Sequence, residues 1–218
     1  KQKMLGQLIL AVLFCWGVVD TLHLPYSIAI PFTDMDISIG LLYYPFVVLV
    51  IVGASNAVNL TDGLDGLASG CCVIAFTAYA VFCYMTGFHD LGYFIIILAG
   101  ACIGFLFFNY HPAKVFMGDT GSLSIGGIIA VFALCIRKEL LLPLLCGVFL
   151  VESFSVMMQV GYFKYTKRKY GEGQRLLLMA PVHHHFQKKG QFETKIVLRF
   201  WIISLLLAAI TLVTLKIR

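Results

Sequence analysis

Charge is what this sequence has least of. Aspartate, glutamate, lysine and arginine together supply 12% of its 218 residues, and only 11 positions are acidic. Soluble domains carry about twice that charged share, so the chain lacks the ionised surface that keeps a globular protein in water. Walker and Rossmann glycine fingerprints are also missing, which removes the common soluble phosphate-binding loops from consideration. No repeat, inverted or parallel, relates one half of the chain to the other. Seven cysteines are present, at 15, 71, 72, 83, 102, 135 and 146. All sit in apolar runs without C-x-x-C spacing, and an odd number gives no disulfide framework, so they read as small buried hydrophobes.

What is present is apolar. Hydrophobic residues make up 60% of the chain, and the mean hydropathy is +0.92. That composition predicts an all-α polytopic integral membrane protein forming one domain over residues 1–218. Apolar runs give about seven spans, at 4–22, 41–58, 67–86, 92–108, 121–136, 140–162 and 196–215, with the short, glycine-rich fifth the least regular. The runs do not alternate with period two, which favours helices over a transmembrane barrel. Residues 24–39 alternate and contain prolines, which predicts a short extended ribbon. The chain begins at Lys1 without methionine or a cleavable signal pattern, so it is expected to start inside a longer protein.

Basic residues set the orientation. With the Lys1 end cytosolic and strict alternation, twelve lysines and arginines fall inside and four (Arg137, Lys138, Lys216, Arg218) fall outside. The net charge of +5 then faces anionic lipid, and no nucleic acid is needed to explain it. The same alternation puts three polar islands on the inner side: Asn56–Gly66, Asn109–Ser122 and the long loop 163–195.

In the first island Asn56, Asn59, Asp62 and Asp65 recur every third residue, which in a helix places them near one face. Gly63 and Gly66 leave room beside them for a ligand or a bend. An Asn/Asp/Gly turn between helices is the simpler reading of the same residues. In the second island Asp119 can ligate a hard cation such as Mg²⁺, Lys114 can meet a phosphate, and Phe116 can stack on a base. The alternative is a helix cap over 119–122. The third island carries His183, His184 and His185. Consecutive residues cannot all face one ion in regular structure, so contacts to phosphate or sugar are favoured over zinc. Glu152 lies inside the sixth span, where an acid is either functional or hydrogen-bonded between helices. Gln159 follows it toward the inner face.

Together these islands resemble the polyprenyl-phosphate N-acetylhexosamine-1-phosphate transferase superfamily across essentially the whole chain. Asn56–Ala68 and Pro112–Ser122 are similar to its two general signatures. The segment Ala180–Phe186, with its uninterrupted histidines, is similar to the phospho-N-acetylmuramoyl-pentapeptide transferase subgroup. Sister enzymes acting on UDP-N-acetylglucosamine tend to break that run. The resemblance implies transfer of phospho-MurNAc-pentapeptide from UDP-MurNAc-pentapeptide to undecaprenyl phosphate, giving lipid I and UMP with Mg²⁺. It implies a multi-pass bacterial inner-membrane enzyme of ten spans working at the cytosolic face, among membrane lipid, and it admits a homodimer.

Carried over by motif, Asp119 is the Mg²⁺ ligand and Asp62 a second active-site carboxylate. Asn59, Asp65 and Phe116 line the nucleoside pocket. Asn109, Gly118, Gln159 and His183–His185 surround nucleotide and sugar, and Lys3 contacts the donor. The chain departs from the pattern twice. The adjacent aspartate pair expected upstream does not occur, since Asp34 and Asp36 are separated and outer, and Gln187 stands where the family usually has glutamate. Residues 1–218 alone are therefore expected to be inactive. The different-class alternative is a secondary transporter, which calls for polar residues at mid-bilayer depth and a pseudo-repeat.

Overall fold

A computed structural model describes residues 2–20, 25–31, 33 and 35–214. Lys1, the C-terminal end of the first expected span at 21–22, Lys216 and Arg218 lie outside the described residues. Nine α-helices and one two-stranded hairpin occur among those that are described. The helices are α1 (Gln2–Phe14), α2 (Tyr43–Thr61), α3 (Leu67–Thr86), α4 (His89–Asn109), α5 (Gly118–Cys135), α6 (Leu142–Leu145), α7 (Gly147–Tyr170), α8 (Val182–Lys188) and α9 (Glu193–Val213). The hairpin pairs β1 (Ser27–Ala29) with β2 (Asp36–Ser38), Ile28 opposite Ile37, in the region where the proline-bearing alternation predicts a ribbon.

The architecture is that of an all-α polytopic membrane protein. Five helices among the described residues are long and apolar enough to cross a bilayer: 40–61, α3, α4, α5 and α9. A sixth candidate, 139–170, is broken by an 83° bend between Leu145 and Gly147. The first expected span is a shorter apolar helix continued by a π-helical turn, Cys15–Asp20. The seven expected spans thus correspond to five continuous helices, one bent pair and one short helix. The expected long loop at 163–195 is also smaller than the sequence pattern suggests. α7 runs on to Tyr170, α8 occupies 182–188, and α9 starts at Glu193. Lys167, Arg168 and Lys169 end α7 favourably because cations suit a helix C-terminus, and Gly171 (φ +83°) closes it.

α3 is the centre of the bundle, with Leu67, Cys72, Phe76, Tyr79 and Cys83 all buried. α4 and α9 lie against it, and the Trp201 indole packs on the bare face of Gly70. α2 and α5 touch backbone to backbone, since a Cβ on Gly126 would stand 2.6 Å from the Ala54 carbonyl oxygen. In hydrocarbon, close contact between small residues drives helix pairing, because lipid is as apolar as the side chains it replaces.

The end of the bundle opposite the candidate site is closed by polar pairs. α5 ends in a Schellman turn, with Lys138 N–H donating to the Ala133 carbonyl and Arg137 N–H to that of Leu134. Arg137 occupies the left-handed position (φ 56°) where glycine is usual. Its guanidinium donates to Ser27 O (2.8 Å) and Oγ (2.9 Å) and lies 3.7 Å from Asp36. Tyr43 Oη donates to Glu139 at 3.0 Å. These bonds fasten the hairpin to the helix ends.

Gly126→Ala should lower the thermal midpoint in detergent by the equivalent of about 1–3 kcal/mol, because the obstructing atoms are backbone. Gly127→Ala, where a Cβ meets nothing within 4 Å, should not lower it.

Candidate active site

The three polar islands meet at one end of the bundle. α2 stops at Thr61, and Asp62 leaves the helix with ψ 57°. The expected single helical face therefore holds Asn56 and Asn59 but not the two aspartates, because the turn at 62–66 aims them differently. Gly66 makes that turn with φ +77°, a conformation open to glycine and strained for other residues.

Asn59 is the hub of the first cluster. Its amide donates to Asp119 Oδ1 (2.7 Å) and Ser122 Oγ (2.9 Å), and its oxygen accepts from Lys3 Nζ at 2.5 Å. Lys3 Nζ also lies 3.6 Å from Asp119 Oδ2. Asp119 sits in the first turn of α5, where the helix dipole favours an anion. Its side chain remains 71% exposed, so substrate or cation can reach it. One turn away, Asn56 donates to Gln7 Oε1 (3.0 Å), and Gln7 donates to Ser55 Oγ (3.0 Å).

Asp62 lies beside this cluster, accepting a hydrogen bond from the Gly118 backbone. Burial raises its carboxyl above the usual aspartate value; the Gly118 bond pulls it down and the Asp119 charge pushes it up. Gly118 itself holds φ +63° at the start of α5.

Asp65 points to the second island. Its Oδ2 meets His111 Nδ1 (3.1 Å) and the Ala113 N–H (3.0 Å), while its own N–H donates to Glu193 Oε1 (2.7 Å). Asp65, His111 and Glu193 bring potential metal-ligand atoms within 4.8 Å of one another. Asn109 completes the loop's frame. Its oxygen accepts from Gly66 N–H (3.2 Å) and Ser69 Oγ (2.7 Å), and its amide donates to Val115 O (2.9 Å). Phe116 projects from the framed loop, 72% exposed, and Lys114 is exposed as well.

The histidines separate by partner. His183 is buried and pairs with Glu152, His184 Nδ1 meets Gln187 Oε1 (2.7 Å), and His185 Nδ1 accepts from Leu178 N–H (3.1 Å). The room expected beside Gly63 is filled by the His183 ring. Gln159 accepts from the Leu176 and Leu177 amides at 3.1 and 2.8 Å, so its side chain holds the loop in front of α8.

Lys3, Asn59, Asp62, Gly118 and Asp119 are thus brought together, with His183 behind the Asp62 turn. Asp65 and Asn109 support the loop bearing Phe116. Sequence reasoning missed Ser122 and Glu193. Neither carries a distinguishing signal, since a serine that bonds back to the carbonyl four residues earlier and a glutamate in the first turn of a helix are both ordinary.

The profile of the family described as glycosyl transferase family 4 matches residues 1–137. The chain belongs to this family. Three curated relatives are each named phospho-N-acetylmuramoyl-pentapeptide-transferase. That of Flavobacterium psychrophilum is 51% identical over 82% of this chain and 47% of its own length. That of Chloroherpeton thalassium is 51% identical over 87% and 56%. That of Chlorobium chlorochromatii is 47% identical over 99% and 64%. The chain therefore spans roughly half to just under two thirds of the length of these family members. The profile's stretch, residues 1–137, contains the Lys3–Asn59–Asp119 cluster, Asp62 and the framed Phe116 loop. The histidine segment lies beyond it, within the 99% of the chain matched by the Chlorobium relative.

Asp65→Ala should speed hydrogen exchange at the Ala113 amide by about tenfold or more, the scale of a lost bond to a charged acceptor. Exchange at α3 amides should not change.

Proposed function

We propose that the chain forms part of a phosphoglycosyl transferase that moves phospho-MurNAc-pentapeptide from its UDP carrier to undecaprenyl phosphate, releasing UMP and forming lipid I. The observation that carries this reading is the Lys3–Asn59–Asp119 cluster with Asp62 beside it. One exposed carboxylate, one partly buried carboxylate and one ammonium at a bundle end suit a diphosphate donor. The relatives' names supply the transferred group, phospho-N-acetylmuramoyl-pentapeptide; the UDP carrier and the polyprenyl acceptor follow from the family resemblance.

Phosphoryl transfer asks little covalent chemistry of a protein and much positioning and charge neutralisation. In this reading Lys3 neutralises donor phosphate, while Asn59 and Ser122 hold the Asp119 carboxylate in one orientation. Asp65 and Asn109 fix the loop from which Phe116 offers its ring to the uracil. Gln159, His184 and His185 shape the sugar side through the 176–185 segment. Mg²⁺ fits the donor set. Asp119 is accessible, and its charge raises the carboxyl of Asp62, a repulsion that a bound cation would relieve. Asp119 with Asp62 would hold the ion, which would polarise the diphosphate. A groove of about 670 Å³ runs from Asp119 and Thr120 between α1 and α5 past Leu10, Phe14 and Phe94. A polar mouth on an apolar trough suits a polyprenyl phosphate. The reading places the site at the cytosolic face of a bacterial inner membrane, in keeping with the basic residues near it.

The test uses the protein expressed from its own gene, in nanodiscs, with UDP-MurNAc-pentapeptide and undecaprenyl phosphate. UMP release that requires both substrates and stops with EDTA is the expected result. Preference for UDP-N-acetylglucosamine would overturn the subgroup assignment. Asp119→Asn should lower kcat at least about a hundredfold, the scale of removing one electrostatic contact made in the transition state.

The acid limb of the rate profile follows from Asp62. Its raised carboxyl protonates at a higher pH than an ordinary aspartate, so activity should fall away above the usual aspartate range as pH drops. Saturating Mg²⁺ favours the ionised form and should move that limb to lower pH.

A further inference from the structure

The buried pair joining α7 to α8 has a geometry that substrate positioning leaves unused. Glu152 is a wholly buried acid within α7, and it meets His183 twice. Its Oε1 accepts the His183 backbone N–H at 3.2 Å, and its Oε2 stands 3.0 Å from the ring Nδ1. An ionised Glu152 only accepts hydrogen bonds, and against it a neutral imidazole carries its proton on Nδ1 and leaves Nε2 over. Nε2 is buried and has no hydrogen-bond partner among the described residues.

That leftover atom has a specific address. The ring stands over Gly63, where a Cβ would collide with Nε2, and Gly63 directly follows Asp62 in the turn after α2. Gly63 is not in the left-handed region, so the need for glycine here is space for the imidazole. His184 and His185 differ, because their Nδ1 atoms are taken by groups three and seven residues away in sequence. His183 alone of the three is held by a buried acid of another helix.

We infer that Glu152 is a positioning residue. It fixes the His183 ring and its proton so that Nε2 presents a lone pair behind the Asp62 turn. The inference rests on the phosphotransfer reading, which gives that atom its purpose as an acceptor for a group brought to the turn. A competing role is a plain tether between α7 and α8.

Glu152→Gln separates the two. The glutamine oxygen can still take the His183 N–H while its NH₂ donates to Nδ1, so tether and volume survive. The imidazole proton must then move to Nε2. The expected result is a kcat reduced about tenfold or more, with KM for the UDP donor and the thermal midpoint unchanged. Gly63→Ala attacks the same atom from the opposite side and should reproduce the loss of kcat.

A readout independent of turnover is the ¹⁵N spectrum of histidine-labelled protein, with the His183 signals identified by their loss in His183→Gln. Wild type should show a protonated Nδ1 and an unprotonated Nε2, and Glu152→Gln should reverse them. Wild-type kcat in Glu152→Gln, or a wild-type ring protonated on Nε2, would overturn the inference. Absence of UMP release from the wild-type protein would instead sink the phosphotransfer reading, while the spectrum would still decide the clamp.

Discussion

One primary amide fastens the working end of this bundle. Asn59 projects from α2 and reaches Lys3 of α1 and both Asp119 and Ser122 of α5. A neutral amide suits the task because it can accept from the ammonium and donate to the carboxylate at once, which neither ion can do for itself. Its reach depends on α2 and α5 lying close, and the Gly126 contact with the Ala54 backbone supplies that approach. Asn59 and Asp119 stand in a fixed relation to one another because the helix packing about two turns away is tight.

The two ends of the bundle solve different electrostatic problems. At the hairpin end Arg137 takes a strained backbone position and bonds Ser27, so most of the polar groups there meet one another. At the opposite end Asp119 and Phe116 stand largely exposed, and Asp62 sits between a stabilising amide and a repelling neighbour. The first arrangement closes a surface, and the second leaves capacity for a ligand.

Much of this was legible in the residues. Long apolar runs give helices because a bilayer leaves the backbone little other choice, and the ribbon at 27–38 follows from alternation and proline. The clustering of three distant islands follows from counting charged residues on alternate sides. Local geometry was less legible. A three-residue period suggests one face for Asn56 through Asp65, yet the helix ends at Thr61, and a short polar run does not reveal where a helix will stop. The 83° bend at Cys146 leaves no mark, since Pro143 precedes it by three residues and is compatible with a helix start. Glu193 and Ser122 escaped notice because their partners lie 128 and 63 residues away. Glu152 stood out as an acid in an apolar span, but only packing names His183 as its partner.

α7 carries Glu152 and Gln159 two turns apart, and between them they hold the segment 176–183 at both ends. That segment is thus bonded to α7 at both of its ends. The helix has 24 residues, about 36 Å at 1.5 Å per residue, and its last two turns carry Lys164, Lys167, Arg168 and Lys169, so it runs on past its apolar stretch. The histidines therefore keep their station through α7, while the carboxylates opposite them keep theirs through α2 and α5, so the two halves of the site are registered only as well as those helices are packed.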